Sequence, residues 1–165
     1  RSDANCKLIR GNIDTRIKKL NDGLYDAIIL ACAGLKSLKL ENQITQFFST
    51  KEFVPCAGQG IIALQCRNDD DYVNPILKKV NHQDTHQIVQ AERSVLKILE
   101  GDCETAVGVH ATINKNELIL EAELFSLDGS KRFYEKKTTP KENSKKAGEE
   151  VGKKLKNKSN NTYKE

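Results

Sequence analysis

Three short stretches of this 165-residue chain hold residues whose types and spacing suit chemistry. The first is Arg10-Gly11-Asn12 with Arg16. Gly11 permits a tight turn from a strand into a helix, and a helix N-terminus offers unpaired N–H donors and a positive dipole end. Arg10 falls on the loop and Arg16 about one turn into the helix. Both guanidinium forks can therefore face one carboxylate or phosphate. A purely structural pair of surface arginines accounts for the same residues. The second stretch is Gly58-Gln59-Gly60. Its glycines let a ligand approach the backbone, and the Gln59 amide donates and accepts; a plain interdomain turn is the competing reading. The third is Glu100-Gly101-Asp102-Cys103-Glu104. Cys103 is expected on a polar loop between a helix and a strand, where an accessible thiol can be a nucleophile. The neighbouring acids disfavour the thiolate, and a structural cysteine is the alternative. His82 and His86 are four residues apart, without an intervening Glu or an evident third ligand, so no metal site is expected.

These residues need elements to position them. Residues 6–9 suit a short strand, followed by a helix capped by Asn12, with Ile13, Ile17, Leu20 and Leu24 at helical spacing. Asn21-Asp22-Gly23 ends that helix. The apolar run from Asp26 to Ala31 suits a strand covered on both faces. Strand, helix, strand in that order favours a parallel pair, hence an α/β layer. A short helix follows at 33–40, then a helix or irregular connection at 41–50, and a strand at 61–66. The Asn68–Asp71 cluster reads as a turn or helix start. Residues 84–99 form the clearest helix, stopped by Gly101. The apolar period then changes to two. Val107, Val109, Ala111 and Ile113 share one face, and Leu118, Leu120, Ala122 and Leu124 share another across an Asn114-Lys115-Asn116 turn. Asp128-Gly129 signals a second hairpin into a strand at 131–138. A final helix near 142–156 carries Ala147, Val151 and Leu155, but two glycines make it marginal unless it docks. Residues 157–165 read as frayed.

Composition narrows the classes. Charged residues are 30% and hydrophobic ones 38%, ordinary for a globular protein. The longest apolar run, Ala27 to Leu35, is far too short for a bilayer span, so no membrane segment is expected. The five cysteines are odd in number and show no C-x-x-C spacing, which argues against a disulfide framework and for a reducing compartment. Four of the five lie in apolar surroundings that suit small core residues. Residues 131–165 hold 12 Lys/Arg against 5 Asp/Glu. Such a stretch suits a solvated helix, or a surface for nucleic acid or other anions. With no Met and no signal or transit segment, the chain is expected to be a larger protein that has lost its N-terminal part.

Taken in order, the segments are far more specific than any one of them. They run Arg10-Gly-Asn-Ile-Asp-Thr-Arg16, then 19–35, then Pro55-Cys-Ala-Gly-Gln-Gly60, Ala91-Glu-Arg93 and Gly101-Asp-Cys-Glu-Thr-Ala-Val-Gly108. Together they resemble the porphobilinogen deaminase (hydroxymethylbilane synthase) family of haem and tetrapyrrole biosynthesis, over nearly the whole chain. The resemblance implies a transferase that condenses four porphobilinogen molecules to hydroxymethylbilane with release of ammonia. It implies one covalent dipyrromethane primer per chain, held by a thioether that falls on Cys103. Loss of ammonia from porphobilinogen leaves an electrophilic azafulvene, which even a modest thiolate fraction captures. Arg10 and Arg16 match carboxylate-binding arginines, and Gly58 and Gln59 a cleft loop. Three departures stand out: Ser37 occupies a position where the family carries Arg, Asp102 one where it carries Gly, and Ala106 one where it carries Pro.

The same resemblance implies a layout and partners. Residues 1–54 become part of a second, periplasmic-binding-protein-like α/β domain, 55–81 a return segment of domain one, and 82–165 an α+β third domain with a small three-stranded antiparallel sheet. The family's catalytic acid lies in the absent N-terminal domain, so no catalytic residue is assigned here and the isolated chain is expected to be inactive. Its partners are porphobilinogen, the growing polypyrrole and that missing domain. The parent is expected to be a monomer in the cytoplasm, or alternatively the plastid, with no membrane or nucleic-acid partner. The competing class is a diverged, non-catalytic anion- or nucleic-acid-binding fragment.

Overall fold

The period-two apolar pattern between 107 and 125 closes into two strands, β1 (Val107–Asn114) and β2 (Glu117–Phe125), joined through Lys115 at φ 56°. A second hairpin turns through Gly129, at φ 69°, into β3 (Arg132–Pro140). The sheet is antiparallel in the order β1-β2-β3. Its register sets Val109 opposite Ala122, Ala111 opposite Leu120 and Ala122 opposite Glu135. The computed structural model describes residues 3–100 and 105–164 and divides into two compact units, residues 1–47 and 48–165.

In the second unit, helices α3 (Val73–Val80), α4 (Gln83–Leu99) and α5 (Ser144–Ser159) join the sheet. Asp70 starts α3, accepting the Val73 N–H at 2.8 Å. Ala91, Val95 and Leu99 of α4 and Ala147, Val151 and Leu155 of α5 bury their side chains against Leu118, Leu120, Ala122 and Leu124. Each fully buried leucine contributes about 1.5–3 kcal/mol of transfer free energy. The two glycines of α5 prove to be what permits docking. A Cβ on Gly148 would lie 2.1 Å from the Ala91 carbonyl oxygen, and one on Gly152 would lie 2.8 Å from Ile98 Cβ. These contacts climb in the same sense along both helices, so α4 and α5 run parallel.

The chain's end is also better ordered than its composition suggests. Tyr163 is 1% exposed and its hydroxyl donates to the Leu99 carbonyl at 2.7 Å, so residues up to 164 pack against the end of α4 rather than fraying. The cations of 131–164 are largely spent on acids: Arg132 on Glu123, Lys136 on Glu121, Lys141 on Asp84, Lys156 and Lys164 on Glu100, and Lys154 and Lys158 on Glu135. The outer face of α5 is nonetheless the solvated basic face expected, with Lys145, Lys146, Lys153, Lys154 and Lys158 exposed.

The first unit holds α1 (Ile13–Asn21) and α2 (Cys32–Ser37), followed by a 3-10 turn at Glu41–Gln43. Asn12 sits at the N-cap position of α1 without a side-chain capping bond, and Leu24 lies beyond the helix, 63% exposed. No strand forms at 6–9, 26–31 or 61–66, so the expected parallel pair is not realised among the described residues. A parallel strand needs a neighbour for its backbone groups. Here Ile29 is 62% and Ile62 88% exposed, so the apolar runs are present but uncovered. The same absence of cover corrects the expectation for the cysteines: Cys6, Cys32 and Cys56 are exposed and only Cys66 is partly buried. The expected helix stop at Gly101 lies outside the described residues; Glu100 takes the left-handed position at φ 55°.

Candidate functional site

In the first unit, Gly11 turns at φ +120°, and a Cβ there would meet Thr15 Cγ2 at 2.8 Å. Glycine is thus required to bring the chain into α1. Arg16, in the first turns of α1, donates from Nε to the Gly11 carbonyl at 2.7 Å, which holds its guanidinium back over the helix start. Lys19 Nζ donates to the Arg10 carbonyl at 2.9 Å, so a second cation gathers there. Gly11, Asn12 and Arg16 line an open groove with Leu30, Ala31 and Leu38. Arg10 is exposed beside it. Cationic forks, a helix N-terminus and an apolar wall together suit a ligand with carboxylates on a flat apolar body. Ser37 ends α2 exposed, as do Lys36 and Lys39 nearby.

In the second unit, the Gly58-Gln59-Gly60 stretch forms a turn. Both glycines have positive φ, 77° and 80°, and no atom lies within 4 Å of an added Cβ. The Gln59 N–H donates to the Cys56 carbonyl and the Ile61 N–H to the Gly58 carbonyl, each at 3.1 Å. The Gln59 side chain is exposed. What ties this turn down is Glu92 of α4, a residue the chemical reading of the sequence passed over. It is 3% exposed. One carboxylate oxygen accepts the Gly58 N–H at 2.6 Å and the other accepts the Ala111 N–H of β1 at 2.8 Å. Burial pushes its pKa above the ordinary carboxylate value, against the pull of those two N–H groups and of His110. Its sequence signal was the Ala91-Glu92-Arg93 triplet, visible only as part of a pattern. The segment is further fixed by the Val109 N–H on the Pro55 carbonyl at 2.8 Å. A Cβ on Gly108 would lie 2.6 Å from the Val54 carbonyl oxygen.

Cys103, with Gly101 and Asp102, lies outside the described residues. Both flanks are held. On the α4 side, Lys156 donates to Glu100 at 2.8 Å and to the Ile98 carbonyl at 3.3 Å, and Lys164 donates to Glu100 at 3.3 Å. These lysines hold the Glu100 carboxyl below its ordinary value. On the β1 side, the Phe125 N–H donates to the Ala106 carbonyl at 3.0 Å. The two histidines serve α4 itself: His82 Nδ1 accepts the Thr85 N–H at 3.3 Å at the N-cap, and His86 Nε2 pairs with Gln90 at 3.0 Å. Among the described residues, no group of three His, Cys, Asp or Glu could hold a metal ion, and no helix is long and apolar enough to cross a membrane.

The class that these features define is a mixed helix-and-sheet chain, with a cationic groove in one unit and a carboxylate-anchored glycine turn in the other. Residues 1–75 match the family model described as porphobilinogen deaminase, dipyromethane cofactor binding domain, and residues 86–158 the one described as porphobilinogen deaminase, C-terminal domain. The chain belongs to the porphobilinogen deaminase family. The porphobilinogen deaminase of Coxiella burnetii (strain Dugway 5J108-111) is 48% identical over 126 residues, covering 75% of this chain and 41% of the relative. That of Syntrophobacter fumaroxidans is 39% identical over 155 residues, covering 94% and 50%. That of Nitrobacter hamburgensis is 39% identical over 133 residues, covering 81% and 42%. The chain thus spans between two-fifths and half the length of these relatives.

Proposed function

We propose that this chain is the part of a hydroxymethylbilane synthase that carries the primer and binds pyrrole carboxylates, in haem and tetrapyrrole biosynthesis. The observation that carries the reading is the ordered match of both family models along the chain, at 1–75 and 86–158. In this reading the Cys103 thiolate bonds to the exocyclic methylene carbon of a porphobilinogen unit as its C–N bond breaks and ammonia leaves, giving a thioether. The dipyrromethane supplies the free pyrrole carbon to which each new unit is joined. The donor set present fits such a group, because every pyrrole brings acetate and propionate side chains. Arg16 and Arg10 at the start of α1 take carboxylates, Arg16 with its fork steadied by Gly11. Gln59 offers its side-chain amide, exposed on the turn that Gly58 shapes.

The layout proposed is 1–54 as part of a periplasmic-binding-protein-like domain two, 55–81 as a return segment of domain one, and 82–165 as the primer-bearing third domain. The uncovered Ile29, Ile62 and Leu64 support it, because buried strands of a larger sheet would leave such residues bare in this chain alone. The isolated chain is expected not to turn over porphobilinogen, since it spans only two-fifths to half the length of the relatives it matches. The parent acts as a monomer in the cytoplasm or plastid, and free thiols suit either.

The test joins this chain to the part of the Syntrophobacter fumaroxidans relative that it does not match, and incubates the chimera with porphobilinogen. Hydroxymethylbilane formation by the chimera, with none from the chain alone, is expected. An inactive chimera without a pyrrole adduct, or robust turnover by the chain alone, overturns the reading.

A further inference from the structure

We infer that Glu92 is the positioning residue of the Gly58-Gln59-Gly60 turn, fixing it to the same helix, α4, that leads into Cys103. Two N–H groups from separate segments, Gly58 and Ala111, converge on one buried side chain at 2.6 and 2.8 Å. Both are donors, so the side chain between them must accept on both oxygens. A carboxylate does this; an amide would turn an NH2 group toward one of the donors. Burying a charge is costly, and an apolar residue of similar volume commonly stabilises a core as well or better. What the carboxylate adds is geometry.

The turn itself has little else to hold it. Gly58 and Gly60 lack side chains, and nothing packs where a Cβ would stand. Its anchorage comes from the Glu92 carboxylate, from the neighbouring Pro55 carbonyl on the Val109 N–H, and from Ala57, which packs against the core. Glu92 lies seven residues before Leu99, the last residue of α4. The turn and the C-terminal end of α4 therefore share one rigid frame about 10 Å long. Gln59 is set by α4 through the carboxylate. The importance of that frame to pyrrole binding rests on the reading above; the anchorage does not, and it is tested without pyrrole.

The test is amide hydrogen exchange and NMR on the full chain, comparing the parent with Glu92→Gln and with Val95→Ala. The latter is a core variant that loosens the unit generally. In Glu92→Gln the Gly58 amide is expected to exchange faster than the Leu120 and Ala122 amides by an extra factor of about ten to a hundred, the range of a lost hydrogen bond to a charged group. In Val95→Ala the three change together. If Gly58 merely keeps pace with the sheet amides in Glu92→Gln, the inference fails. Should Glu92→Gln not fold, the parent decides by pH titration. The Gly58 and Ala111 amide shifts must then follow one shared midpoint, above that of an ordinary carboxylate. The titratable group acting on Glu92 from β1 is His110, and Arg93 neighbours it on α4. Separate midpoints, or shifts that follow His110 alone, overturn it.

Discussion

Replacing Gly148 by Ala sets two effects against each other, and the structure says which wins. Helix propensity favours Ala over Gly by about 1 kcal/mol in a helix interior. Packing opposes it. The new Cβ would lie 2.1 Å from the Ala91 carbonyl oxygen and 2.7 Å from Ser94 Cβ, and the carbonyl belongs to a helix backbone that cannot rotate away. Relief requires α4 and α5 to part, and that would loosen Val95, Leu99, Val151 and Leu155 together. Overpacking of this kind costs about 1–3 kcal/mol, more where no side chain can yield. Gly148→Ala is therefore expected to lose about 2 kcal/mol net, with the melting midpoint lower by roughly 8 °C or more for a unit of this size. Gly152→Ala meets Ile98 Cβ at 2.8 Å and should lose less. Gly129→Ala, with open space but φ +69°, should lose only about 1 kcal/mol of backbone strain. Urea unfolding of the three variants measures the ranking. A Gly148→Ala protein as stable as the parent, or more so, would refute the close approach of α4 and α5.

Two further predictions concern the chain's end and a turn. Tyr163→Phe leaves the Leu99 carbonyl without its donor and should cost about 1–3 kcal/mol in urea unfolding; an unchanged midpoint would mean that the last residues do not hold α4. Asp128 accepts from the Ser126 hydroxyl at 2.5 Å and the Ser130 hydroxyl at 2.8 Å, which lowers its pKa from 3.8 to about 2. Because the folded value is the lower one, its contribution to stability is present above pH 3.8 and lost as pH falls toward 2. Its carboxyl carbon should titrate near that lower value by NMR and move back toward 3.8 in Ser126→Ala.

The hairpins were legible in the sequence because their signals are local: period-two apolar residues and turn residues at fixed offsets. The strand expectations at 26–31 and 61–66 were not realised for a physical reason. An apolar run states that a segment needs cover, not what supplies it. Ile29 and Ile62 remain bare among the described residues. Gly148 and Gly152 were read as helix weakness because propensity is local, whereas their fit to Ala91 and Ile98 is a tertiary fact. Glu92 escaped for the same reason: its partners lie 34 and 19 residues away. Arg10, Arg16, Gly58 and Gln59 were legible as residue types, and the anchors that hold the Gly58 turn and the Cys103 flanks were not.

The most direct measurement is the intact mass of the chimera after incubation with porphobilinogen, with peptide mapping and an Ehrlich colour test. The account predicts an added mass of two linked pyrroles, mapped to Cys103 and absent from a Cys103→Ala version that makes no hydroxymethylbilane. An unmodified protein that still makes product, or a pyrrole adduct on another residue, contradicts it.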